Sequence, residues 1–185
     1  MIAESHFIGV TYLFFPNIEK TLVQGKLLAV VPRLSAEWTL VYSLNVKSLQ
    51  TTSMLCSFVH LSILTDDTSG AIYGSRSPFH YLERVTQGLQ GKFEKMKFGS
   101  AINSATAYIT MSEMPEVGEW EHYEFHQRYV SGGNYRFFVK RNGEEVYSAI
   151  NTDAQQFYNV KVYAGSPTFP ACAAEIKNLE LTNFL

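Results

Sequence analysis

The chain has 185 residues, of which 46% are hydrophobic, 14% aromatic and 17% charged. That length suits one domain spanning 1–185, and the apolar share excludes wholesale disorder. The 15 Lys and Arg nearly balance 17 Asp and Glu, giving a formal net charge of -2. This argues against a nucleic-acid partner held by counterion release and, with no basic run, against an anionic membrane surface.

The first apolar run, Phe7 to Phe15, follows Glu4 and has no basic stretch before it. It reads as a strand, and no signal peptide is visible; the chain is either leaderless or has lost a leader, with Met1 supplied for expression. No stretch reaches the roughly 18 apolar residues of a membrane span, so no membrane insertion is expected. Next come Trp38, Leu40, Tyr42, Leu44 and Val46, alternating with mostly polar Thr39, Ser43, Asn45 and Lys47. Period-two alternation of this kind marks a strand with one buried face. Val59, Leu61 and Ile63 continue the pattern after Cys56.

Cys56 and Cys172 are the two cysteines. With no CxxC spacing they make no metal cluster. Cys56 reads as a small buried hydrophobe, and a Cys56–Cys172 disulfide of a secreted protein stands as the alternative. Asp66 to Gly70 is turn-rich, Gly74 to Tyr81 reads as a connector with a buried Phe79, and 84–92 and 111–118 read as loops. Downstream, Tyr123 and Phe125 share one face, as do Tyr135, Phe137 and Val139. Ser131-Gly132-Gly133-Asn134 joins these two strands, and Arg141-Asn142-Gly143-Glu144 is a hairpin turn, since Asn-Gly tolerates the positive φ it requires. Val160 and Val162 alternate again, and Ile176, Leu179 and Leu181 shift phase once, which predicts a bulge near Lys177-Asn178. Short strands with regular turns and almost no helical periodicity predict an all-β protein, a sandwich or barrel.

The second half carries a further pattern. It contains Gly118-Glu119-Trp120, then Tyr135-Arg136-Phe137-Phe138-Val139, then Asn142-Gly143-Glu144-Glu145-Val146-Tyr147-Ser148. Phe157-Tyr158-Asn159-Val160-Lys161-Val162-Tyr163-Ala164-Gly165 and Ala174-Glu175-Ile176-Lys177-Asn178-Leu179 follow. This resembles the concanavalin A-like lectin/glucanase superfamily, in the group that includes galectins and laminin-G-like modules. The resemblance covers 117–182 well, 36–80 more weakly and 1–30 only as strands. Asn159 to Ala164 also resembles secreted or cell-surface proteins of marine invertebrates. The resemblance implies an antiparallel β-sandwich jelly roll with two curved sheets, an extracellular or cell-surface setting, and glycans or glycoproteins as partners in cell recognition.

If Tyr123, Phe125, Tyr135, Phe137 and Val139 face the core, alternation turns Trp120, His122, Glu124, His126 and Arg128 outward, with Arg136, Phe138 and Lys140 on the next strand. Such a face can stack a sugar on rings and bond its hydroxyls through Arg, Glu and His. Trp120, His122, Glu124, His126, Arg136 and Phe138 are therefore the candidate ligand-binding residues, with Arg76 and His80 as a second rank on the turn-rich stretch. The plain alternative is a solvated face with cross-strand pairs such as Glu124–Arg136. The galectin spacing His-x-Asn-x-Arg and Trp-x-x-Glu is absent, so β-galactoside specificity is not implied.

His122 and His126 lie roughly 13 Å apart on a strand and cannot share a metal ion. Calcium at Asp66-Asp67 competes with a simple exposed acidic turn, so no cofactor is expected. Glu119 and Glu124 have the carboxylate spacing of a β-glucanase motif, but plain alternation puts them on opposite faces, whereas retaining glycosidases need carboxyls about 5–5.5 Å apart. The sequence-level expectation is thus a non-catalytic lectin-like module. A laminin-G-type interaction or self-assembly module, a possible homo-oligomer, is the alternative, and a small β-glucanase is a remote one.

Overall fold

The structure, a computed structural model, describes residues 9–49, 54–66, 72–86, 92–111 and 113–184. It contains β1 (Gly9–Phe14), β2 (Lys20–Thr21), β3 (Leu27–Leu34), β4 (Trp38–Val46), β5 (Leu55–Ser62), β6 (Phe79–Thr86) and β7 (Lys92–Ile102). There follow β8 (Ala105–Thr110), β9 (Trp120–Ser131), β10 (Asn134–Arg141), β11 (Glu144–Asn151), β12 (Phe157–Ala164) and β13 (Ala174–Phe184). They form two antiparallel sheets: a seven-stranded one ordered β1-β13-β4-β9-β10-β11, with β2 also on β13, and a six-stranded one ordered β3-β12-β5-β6-β7-β8. This is an all-β, two-sheet antiparallel sandwich.

The alternating residues fill the space between the sheets. Trp38, Leu40, Tyr42, Leu44 and Val46 of β4 are buried, as are Tyr123 and Phe125 of β9 and Phe137 and Val139 of β10. Phe58, Leu61, Leu82, Met96, Phe98 and Val162 meet them from the other sheet. Tyr42 lies between the rings of Tyr123 and Phe125, with centroids 5.9 and 6.0 Å away. Burial of such rings is the main favourable term in folding here.

The turns behave as their residues demand. Asn142 and Gly143 take φ of 52° and 84° in the β10–β11 hairpin. The β13–β4 register shifts between Lys177 and Glu180, and Asn178 has φ 52°, so the bulge falls where the phase change predicts it.

Three expectations are corrected. The segment 84–92 is not simply a loop: β6 runs to Thr86 and β7 starts at Lys92, while 87–91 lie outside the described residues. Cys56 is not merely a small buried hydrophobe; it is bonded to Cys172 with an S–S distance of 2.09 Å. Sequence alone could not decide this, because the loop before β13 reaches β5 only through the fold: the Ser57 N–H donates to the Pro170 carbonyl at 2.8 Å. His80 is also reassigned. It points into the core, is wholly buried and is ringed by Phe58, Tyr123 and Phe125 at 4.9, 4.9 and 5.7 Å. The reason is that the last part of Gly74–Tyr81 is strand, with β6 beginning at Phe79, and alternation sends His80 and Leu82 inward. No ligand outside the sandwich can touch it. Asp67, half of the calcium candidate, lies outside the described residues.

Candidate functional site

The outward stripe exists. Trp120, His122, Glu124, His126 and Arg128 of β9 alternate with buried neighbours, and Arg136, Phe138 and Lys140 lie on β10 beside them. The Glu124 carboxylate sits between two imidazoles, 2.9 Å from His126 Nε2 and 3.8 Å from His122 Nε2. Burial pushes His126 below the usual imidazole range, and Glu124 opposes that shift.

The Glu124–Arg136 pair is not formed. The β9–β10 register sets Glu124 opposite Lys140 and Arg136 opposite Arg128, so Arg136 lies two periods of alternation away from Glu124 and bonds Glu145 of β11 instead. The ring faces of this stripe are already covered. Lys177 stands over Trp120 at 3.8 Å, Arg136 over Phe138 at 4.8 Å, and His126 stacks on Phe138 at 4.4 Å. A sugar would have to displace Lys177, Arg136 or His126 to stack there. Neither does the glucanase spacing assemble: β9 pairs with β4 from Trp120 onward with no register shift, so no bulge brings Glu119 to Glu124.

A hollow lies on the outer face of the six-stranded sheet. Leu55, Arg76, Tyr81, Glu83, Lys97 and Tyr108 line a groove of about 270 Å³. On β6, Phe79, Tyr81 and Glu83 face outward because His80 and Leu82 face the core. On β7, Lys97 pairs in register with Tyr81 and forms an ion pair with Glu83. Gly99, flanked by Phe79 and Tyr108, leaves room for the Tyr108 ring: a Cβ there would come within 3.3 Å of it.

Arg76 closes this end. Its guanidinium lies 5.2 Å from the Phe79 ring centre and 5.6 Å from those of Tyr108 and Phe169, and Nη1 donates to the Tyr108 hydroxyl at 2.9 Å. Tyr81 stacks on Phe79 at 4.6 Å and is 4% exposed, whereas Tyr108 is 47% exposed. Burial raises the Tyr81 hydroxyl above the usual phenol range, so it stays protonated, a hydrogen-bond donor.

His60 holds the two loops that shape the groove. It is buried beside its cross-strand partner Phe79, with ring centres 4.6 Å apart. Its Nε2 lies 2.8 Å from the Ser75 carbonyl, which can only accept, so Nε2 carries the proton. Nδ1, 3.2 Å from the Ser166 hydroxyl, is then the acceptor. The Ser166 hydroxyl also receives the backbone N–H groups of Thr168 and Phe169. One imidazole thus fixes both the Arg76 loop and the Phe169 loop.

Of the sequence candidates, the stripe residues stay together on one sheet, Arg76 joins a groove on the other, and His80 joins neither. Tyr81, Glu83, Lys97 and Tyr108 were missed. The signal for them was the alternation Phe79, Tyr81, Glu83 against His80, Leu82, which turn-forming Gly74, Ser75 and Pro78 obscured.

Among the described residues, no three His, Cys, Asp or Glu side chains gather as a metal site, and no helix is long and apolar enough to cross a membrane. No family model and no curated protein matches the sequence. Solved structures do. A heptameric SAP-like pentraxin from Limulus polyphemus is 13% identical, with TM-score 0.53, over 92% of this chain and 75% of its own. The alginate lyase Aly36B is 14% identical, with TM-score 0.53, over 90% and 80%. A mutant of that lyase in complex with alginate tetrasaccharide matches over the same shares with TM-score 0.52 and 14% identity. At such identities the likeness shows the fold, a β-sandwich shared by carbohydrate-associated proteins. The expectation that the chain is not an enzyme is corrected by these lyases: this fold houses catalysis, so a missing glucanase motif does not argue against activity.

Proposed function

We propose that this chain is a glycan-active β-sandwich that takes an acidic saccharide in the Arg76 groove. The observation that carries the reading is the Arg76 guanidinium, fixed among three rings and bonded to Tyr108 at the rim of a real hollow. Among the described residues lining the groove, the Arg76 guanidinium and the Lys97 ammonium are groups of the kind that bond a sugar carboxylate. Half-exposed Tyr108 offers a ring for the sugar's C–H face. The alginate complex of a similarly folded protein supports a uronate as the sugar class. The Cys56–Cys172 bond supports an oxidising, extracellular setting.

Cleavage of the same saccharide is a second reading, favoured by Tyr81, a protonated hydroxyl held in the floor beside the Glu83 carboxylate. The test is affinity electrophoresis in gels containing alginate, polygalacturonate or a neutral β-glucan, with ultraviolet detection of unsaturated uronate ends in parallel. Retardation by the acidic polymers, lost in Arg76→Ala and Tyr108→Ala, is expected. Wild-type protein that migrates freely in every gel, or variants retarded as strongly as wild type, would overturn the proposal.

A further inference from the structure

A second cavity, remote from the groove in its lining, has a different chemistry. The chain between β1 and β3 crosses from one sheet to the other and leaves a space of about 380 Å³, lined by the apolar residues Phe15, Val23, Ala164 and Ile176, of which Ala164 and Ile176 are buried, and by Lys20, Thr21 and Lys26. That volume lies in the range of small-molecule sites.

The two lysines are placed by backbone structure. Lys20 is one of the two residues of β2 and stands opposite Ile176 in the β13 ladder. Lys26 follows Gly25, which has φ +72° and whose N–H donates to the Ser166 carbonyl at 2.9 Å. The Lys26 carbonyl accepts from the Ala164 N–H at 3.0 Å. Among the described residues neither ammonium has an ion-pair or hydrogen-bond partner, and the nearest acid in sequence, Glu19, bonds Lys177 at 3.3 Å. Two lysines without an acidic partner among the described residues therefore line a largely apolar pocket whose lining contains no acid. The lysines favour a negative head group, and the apolar lining favours a hydrocarbon body.

We propose that this cavity binds a small amphiphilic anion, its head between Lys20 and Lys26 and its apolar part against Phe15, Val23 and Ile176. Octanoate is the probe, octanol its uncharged counterpart and acetate the head alone. Binding is followed by titration calorimetry on the full chain. Octanoate binds wild type, octanol and acetate bind at least about tenfold more weakly, and Lys20→Gln with Lys26→Gln weakens octanoate by about tenfold or more. Val23→Trp fills the space; Val23 is 58% exposed, so the fold tolerates the larger ring, and octanoate binding is lost. Arg76→Ala leaves octanoate binding unchanged, which separates this site from the saccharide groove. Octanoate that fails to bind wild type, or that binds the double lysine variant or Val23→Trp as tightly, overturns the proposal.

Discussion

The Arg141 guanidinium grips the Glu121 carboxylate through both oxygens, Nε to Oε2 at 3.0 Å and Nη2 to Oε1 at 2.6 Å, with Glu121 only 6% exposed. Tyr123 donates its hydroxyl to the same carboxylate at 2.5 Å, and Arg141 further donates to the Glu113 and Met114 carbonyls. Both members of the pair are largely withdrawn from water, with side chains 13% and 7% exposed. Glu121→Ala strands the guanidinium and is expected to cost about 3–5 kcal/mol. Glu145→Ala, which breaks the exposed pair with Arg136, is expected to cost under about 1 kcal/mol. Urea unfolding of both variants checks the ranking; equal losses contradict it.

The disulfide closes a separation of 116 residues and ties β5 to the loop before β13. Cys56→Ala with Cys172→Ala should lower stability by about 2–4 kcal/mol, chiefly by freeing the unfolded chain. A urea midpoint equal to that of the bonded protein would contradict this.

His60 and His80 set the acid limit of the fold. Burial first, and then Arg76 for His60 and Arg141 for His80, lower them to about 4 and about 3; the bond to Ser75 partly offsets the shift of His60. Both folded values lie below the unfolded value of about 6.5. The unfolded chain therefore binds more protons between these limits, so the contribution is whole above about pH 6.5 and is lost as pH falls through that value towards 4 and 3. The slope is about 1.4 kcal/mol per pH unit for each histidine. Unfolding free energies measured from pH 7 to 4.5 should fall accordingly, and a flat profile would refute the assignment. Because neutral His60 holds both groove loops, saccharide binding by the folded protein should persist across this window and weaken only as pH falls to about 4.

The two outer faces make a direct contrast. Tyr108→Ala or Lys97→Ala should weaken acidic saccharide binding by about tenfold or more, whereas His126→Ala, on the stripe whose rings are already covered, should change it less than about twofold. Binding isotherms with alginate oligosaccharides decide the matter, and the reverse order would move the site to the seven-stranded sheet.

Much of this architecture was legible one residue at a time. The alternation of Trp38, Leu40 and Tyr42, the Asn142-Gly143 turn and the phase change after Lys177 are local facts, because a strand's side-chain period and a turn's φ angles depend on immediate neighbours. Even Glu121 stands in phase with Tyr123, facing inward; only its partner was invisible.

Partners required the third dimension. Arg141 reaches Glu121 because β9 and β10 pair, Cys172 reaches Cys56 because a distant loop lies on β5, and Arg76 meets Phe169 because His60 pins two loops that the sequence holds far apart. The sequence by itself determined that the chain makes strands, and which side of each is wet. Which wet side carries a hollow was decided only by packing, since a hollow depends on how loops from remote segments fall across a sheet, and no local period encodes that.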